Sequence, residues 1–169
     1  MKDLGSLHFF LGMEACTDGT KLYLTQSKYI HDILARTSML EYKPISSPIS
    51  SGSRLSLHDG DPFQDYSLYR SVVESLQYLS LTRPDITYTV NQVCQFMHCP
   101  TTAHWMAVKR ILCYLKGIIT YGLHIRPSPI SSIHGFSDVD WAGNPDDRRS
   151  VSGFIVFLGS NPVSWSSKK

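Results

Sequence analysis

Residues Gly135 to Lys169 read GFSDVDWAGNPDDRRSVSGFIVFLGSNPVSWSSKK, and this stretch decides the fold. Phe136 to Trp141 predicts a strand bearing two acids, and Gly143, Asn144 and Pro145 predict a polar turn after it. Phe154 to Leu158 is a continuous apolar run, Gly159 to Pro162 a second turn, and Val163 to Ser166 a third strand. Three consecutive strands on short turns predict an antiparallel meander. Side chains alternate across a strand, so Phe136, Asp138 and Asp140 share one face. Two carboxylates on one face suit Mg²⁺, which takes hard oxygen ligands and keeps several waters, so Asp138 and Asp140 are the candidate metal ligands.

Upstream, residues 65–120 predict three amphipathic helices. Asp65 is placed to cap the first, in which Tyr69, Val72, Val73, Leu76 and Leu79 recur at helical spacing. Arg83 and Pro84 end it, and Pro84 suits the first turn of the next, whose stripe is Ile86, Val90, Val93 and Met97. Pro100 stops that helix; Thr101 or Thr102 starts the third, with Trp105, Val108, Leu112 and Leu115 inward. Lys109, Cys113 and Lys116 fall on one stripe of its outer face. Residues 42–64, rich in serine with prolines at 44, 48 and 62, have no sustained period and predict a linker or an extended surface loop.

Residues 1–41 predict a hairpin and a helix. Leu7 to Cys16 and Lys21 to Thr25 are strand-like, and Asp18-Gly19 is a preferred two-residue turn. With that turn as centre, Ala15 pairs with Leu22, Met13 with Leu24 and Glu14 with Tyr23. Ser27 is placed to cap a helix carrying Ile30, Ile33 and Leu34 on one face. The whole predicts an α+β chain in four segments: 1–41, 42–64, 65–120 and 121–169.

Composition narrows the function classes. At 169 residues and 42% hydrophobic, the chain is too apolar to be disordered and long enough for one ordinary core or two small ones. A formal charge of +2 is nearly balanced, so nucleic-acid binding has to rest on local patches. Four cysteines without CxxC pairs fit a reduced, intracellular compartment. No apolar run reaches transmembrane length, and the opening MKDLGSLHFF lacks the order of a signal peptide. Cys94, His98, Cys99 and His104 cluster in sequence, but their spacing fits no usual zinc pattern and reads as structural. No glycine-rich phosphate loop, Ser-His-Asp set or activated cysteine stands out.

One family joins these pieces. SDVDWAGNPDDRRSVSGFIVFLG followed by SWSSKK resembles the opening of the ribonuclease H domain in the Pol polyproteins of copia-type LTR retrotransposons. YRSVVESLQYLSLTRPDITYTVNQVCQFMHCPTTAHWMAVKRILCYLKG resembles the connection region before that domain. LHFFLGMEACTDGTKLYLTQSKYIHDIL resembles the reverse-transcriptase palm hairpin that grips the primer, followed by the first thumb helix. Glu74, Cys113 and Val139 depart from the pattern, which usually has Gly, Arg and Ala there.

The resemblance implies roles. Asp138 becomes a catalytic metal ligand of a ribonuclease H site, in which two metal ions are held by four carboxylates. Leu11, Gly12 and Met13 would lie against the primer backbone; Lys109, Arg110 and Lys116 along the hybrid; Arg148 and Arg149 on its phosphates. The implied partners are an RNA:DNA hybrid or a primer-template, with no membrane and no small-molecule substrate, and the implied cofactor is Mg²⁺, not tightly bound here. The polymerase carboxylates are expected before Met1 and the remaining ribonuclease H carboxylates beyond Lys169, so the chain by itself is expected to be inactive. The alternatives are a non-catalytic nucleic-acid-binding module and a relic without a molecular role. An exposed apolar sheet face is expected unless the helices fold over it.

Overall fold

The computed structural model describes residues 8–50, 52, 54–128 and 132–169. Leu7, the expected start of the first strand, and Ser51 and Ser53 of the expected linker lie outside the described residues. From the N-terminus the elements are β1 (Phe9–Phe10), β2 (Met13–Asp18), β3 (Lys21–Thr25), α1 (Ser27–Arg36), α2 (Tyr66–Leu79), a 3₁₀ turn (Pro84–Ile86), α3 (Thr87–Cys94), α4 (Thr102–Gly117), β4 (Leu123–Ile125), β5 (Ile133–Asp140), β6 (Val151–Leu158) and β7 (Asn161–Lys168). The chain is thus mixed α and β. It has a four-stranded sheet in the order β1-β2-β3-β4 and a three-stranded sheet in the order β5-β6-β7, both antiparallel.

The first expected strand is folded in two. Leu11 and Gly12 both take positive φ (48° and 74°), the signature of a type I′ turn, so Phe10 comes back opposite Met13. The β2-β3 register also differs from expectation: Ala15 faces Leu24, Thr17 faces Leu22 and Glu14 faces Thr25. The loop is Gly19-Thr20, with positive φ at Gly19 alone. An Asp18-Gly19 centre would push Asp18 into the left-handed region as well; starting the loop at Gly19 gives that conformation only to the residue without a Cβ. Facing positions change by two residues, so side chains keep their faces and Ala15 still points into the core.

Ser27 is the first residue of α1 rather than its cap. Gln26 holds the cap position without a side-chain bond, and the Glu14 carboxylate accepts the Lys28 N–H at 3.0 Å instead. A strand residue thereby satisfies a free donor at the helix start and ties α1 to the hairpin.

The helices make one core. Ile30, Ile33 and Leu34 of α1, Tyr69, Val72, Val73, Leu76 and Leu79 of α2, Val90 and Val93 of α3, and Val108, Ile111, Leu112 and Leu115 of α4 are all buried together. Each such aliphatic side chain contributes about 1.5–3 kcal/mol by leaving water. Asp65 caps α2 by accepting the Leu68 N–H at 2.8 Å. Thr101 caps α4, and the reciprocal bond comes from His104, whose Nδ1 accepts the Thr101 N–H at 3.0 Å.

The described residues of the stretch 42–64 form no helix or strand, yet they lie along the helices. Phe63 stacks on Trp105 with ring centroids 5.0 Å apart, Leu55 packs on the core, and Pro62 bridges to Thr101.

Strand β4 was not expected. Leu123 and Ile125 pair with Leu24 and Leu22, and His124 stacks on Tyr23 at 4.4 Å. Residues 123–125 therefore complete the hairpin sheet, not the three-stranded sheet with which sequence grouped them. That second sheet docks through β7 on α3, and the Trp165 indole N–H donates to the carbonyl of Ser80, at the end of α2, at 2.8 Å. The opposite edge, β5, is exposed from Ile133 to Val139, so the helices cover the sheet on one side only.

Candidate functional site

Asp138 and Asp140 alternate with Ser137 and Val139 along β5, opposite Gly153 and Val151 of β6. Their settings differ. Asp138 is exposed and its Oδ1 accepts the Val139 N–H at 2.9 Å, leaving the other oxygen to solvent. Asp140 is half-buried, its carboxylate lying over Gly143 so closely that a Cβ at that position would collide with it. The residues in the turn between them, Trp141 and Ala142, let the chain double back, with Ala142 at φ 52°.

Asn144 organises the loop that follows, a role the sequence showed only as a turn signal. It is buried; its Oδ1 accepts the Asp146 and Asp147 N–H groups at 2.9 and 3.1 Å, and its Nδ2 donates to Gln95 at 3.1 Å. The Asp146 carboxylate then accepts the Ser56 hydroxyl at 2.5 Å and the Leu57 N–H at 2.9 Å. These bonds, the Ser56 hydroxyl foremost, hold its carboxyl below the usual carboxylate range. The charged loop is thereby fastened to residues 56–57.

His104, grouped in sequence with Cys94, His98 and Cys99, is fully buried against Phe96, ring centroids 3.7 Å apart. Because its Nδ1 accepts from Thr101, its Nε2 carries the proton and donates to the Ser56 carbonyl at 3.0 Å. Burial pushes its pKa down, so it is a neutral structural group. Among the described residues no three His, Cys, Asp or Glu side chains gather as a metal group.

The cations expected on nucleic acid are dispersed. Lys116 donates to the carbonyls of Leu40 and of Tyr42, the latter at 2.7 Å, so it fastens the 40–42 turn to α4. Lys109 lies 5.7 Å from the Tyr42 ring centroid. Arg110 has its Nε buried without a hydrogen-bond partner. The stripe on α4 is thus covered by residues 40–50 and presents no continuous ridge. Arg148 and Arg149 are exposed, Arg149 3.7 Å from Asp147. At the hairpin tip Leu11 is 67% exposed, Gly12 sits over the Tyr78 ring, and Met13 is half-buried.

A second charged feature escaped sequence reading. Arg83 is buried, and its guanidinium donates twice to Asp85, Nε at 2.9 Å and Nη2 at 2.6 Å. The Tyr114 hydroxyl donates to the same carboxylate at 2.9 Å. Burial opposes ionisation of Asp85, but these donors and the Arg83 charge outweigh it and hold the carboxyl below its ordinary value. Sequence showed Arg83 only as the residue before a helix-breaking proline.

The chain is 50% identical, over its whole length, to the Retrovirus-related Pol polyprotein from transposon RE1 of Arabidopsis thaliana. It belongs to the Pol polyproteins of copia-type retrotransposons. It is also 38% identical over 99% of its length to the Pol polyprotein from transposon TNT 1-94 of Nicotiana tabacum. An uncharacterized mitochondrial protein of Arabidopsis thaliana is 47% identical over the whole chain, which covers 70% of that protein. The chain spans 12% of the length of the RE1 polyprotein and 13% of the TNT 1-94 one. No family model matches the chain, and no solved structure matches it. Among the described residues no helix is long and apolar enough to cross a membrane.

Proposed function

We propose that this Pol segment joins the reverse-transcriptase palm and thumb to a ribonuclease H sheet, and that these 169 residues alone perform neither reaction. The observation that carries the reading is β5: an exposed edge strand presenting Asp138, with Asp140 turned onto Gly143 and no third ligand beside them among the described residues. Asp138 fits Mg²⁺ as a solvent-facing carboxylate oxygen, and Asp140 would have to swing off the turn to join it. Bound there, the ion would supply charge neutralisation and an activated water. The protein's own contribution is to hold the strand rigid against β6 and, through β7, against α3. Two acids make a weak site, because hard-cation affinity rises with the number of charged oxygens.

The proposed partner is an RNA:DNA hybrid. Arg148 and Arg149 are the exposed cations placed to meet phosphate, Arg149 from beside Asp147; Lys116 serves as a fastening instead. The test is Mg²⁺-dependent cleavage of a labelled hybrid by the purified chain. The expected result is no product above the blank, with Asp138→Asn indistinguishable. Turnover abolished by Asp138→Asn would overturn the reading.

A further inference from the structure

Described residues of the stretches 42–50 and 54–59 line, with α3, α4 and the turn after β5, a cavity of about 670 Å³, a volume typical of small-molecule sites. One part of its wall is apolar and aromatic, with Ile45, Ile49, Met106 and Tyr88. Another carries charge: Arg54, Lys109 and Arg110 against Asp59 and Asp140, three cations to two carboxylates. Lys109 meets only the face of the Tyr42 ring. None of the three forms an ion pair among the described residues, and the buried Arg110 Nε meets no acceptor. The one positive charge in excess on this wall suits an oxygen-rich anion, and the apolar wall beside it suits a flat hydrophobic body attached to that anion.

We propose that this cavity binds a small aromatic monophosphate, with the phosphate on Arg110 and Lys109 and the ring against the apolar wall. The site shares Asp140 with the proposed metal site and adds a small-molecule partner where the sequence implied none. Asp140 lines the same cavity, which disfavours a second phosphate near the β5 turn and limits the ligand to one.

Cys113 on the wall makes the test direct, with exposed Cys16 and Cys99 as references in the same chain. The probe is 1-naphthyl phosphate, and the readout is the alkylation rate of each cysteine at alkaline pH, followed by peptide mass spectrometry. Saturable protection of Cys113 alone is expected, with 1-naphthol and inorganic phosphate each about tenfold weaker or more. Arg110→Met is expected to weaken protection about tenfold while far-UV circular dichroism stays unchanged. Should that variant fail to fold, Lys109→Met is expected to lower the affinity severalfold. Equal alkylation of Cys113 with and without the probe would overturn the proposal, as would protection by 1-naphthol as strong as by its phosphate. Wild-type affinity in a folded Arg110→Met chain would do the same.

Discussion

The helical body and the β5-β6-β7 sheet contrast in how each is finished. In the body, apolar stripes from four helices meet, and Tyr69, Val72, Leu76, Leu79, Ile111 and Leu115 are closed to solvent. On the sheet, Phe136 is 65% exposed and Phe154 46%, and Trp141 in the turn after β5 is 84% exposed. The difference is the number of layers. A helix stripe buries itself on another helix, whereas a strand as apolar on both faces as Phe154 to Leu158 needs cover on two, and the helices pack on the β7 side. The free face and edge of β5 are the same place where Asp138 stands, so the region least committed to stability carries the candidate chemistry.

That contrast sets an order of effects. Leu76→Ala removes a fully buried side chain and is expected to cost about 3 kcal/mol in denaturant unfolding, while Phe136→Ala should cost less than about 0.5 kcal/mol. Equal losses at the two positions would show that the sheet is covered after all. Asp85→Ala leaves the buried Arg83 without its carboxylate and should cost about 2 kcal/mol, discounted because Asp85 itself is partly exposed. Since the folded-state pKa of Asp85 is lowered, its contribution is present at neutral pH and is lost as pH falls below about 4. A thermal scan series from pH 7 to pH 3 should therefore show a steeper acid loss in the parent than in Asp85→Ala.

Asn144→Ala sharpens the comparison at the seam between the two regions. It strips the acceptor for the Asp146 and Asp147 N–H groups and the bond to Gln95, and should cost about 1–2 kcal/mol. Amide exchange is expected to rise in the 141–150 loop and stay unchanged in α2. The smallest effect belongs to the Asp146 tie to Ser56 and Leu57. Its lowered carboxyl keeps that tie at neutral pH and releases it as pH falls through the folded value, visible as faster exchange at the Leu57 amide.

How far these features were legible in the sequence follows the same physics. The helices could be read because Val72, Val73, Leu76 and Leu79 repeat at the helical period, and Asp65 and Thr101 announce their caps. The meander could be read from its turns. The β2-β3 register could not, because two adjacent turn centres both contain Gly19 and only backbone strain at Asp18 separates them. Strand β4 is three residues long and has no period of its own; it exists because β3 offers an edge. Lys109, Cys113 and Lys116 read in sequence as an outer stripe of α4, and sequence could not show that residues 40–50 lie across it. Asp138 was legible from strand alternation, whereas the turning of Asp140 onto Gly143 depends on the turn conformation.

The most direct measurement is a Mg²⁺ titration followed through backbone resonances of the whole chain. Weak binding in the millimolar range is expected, with shifts confined to Asp138, Asp140 and Gly153 opposite, lost in Asp138→Asn, and none in α2 or α4. Saturation at micromolar Mg²⁺, or shifts that persist in Asp138→Asn, would contradict the assignment of β5 as a partial metal site.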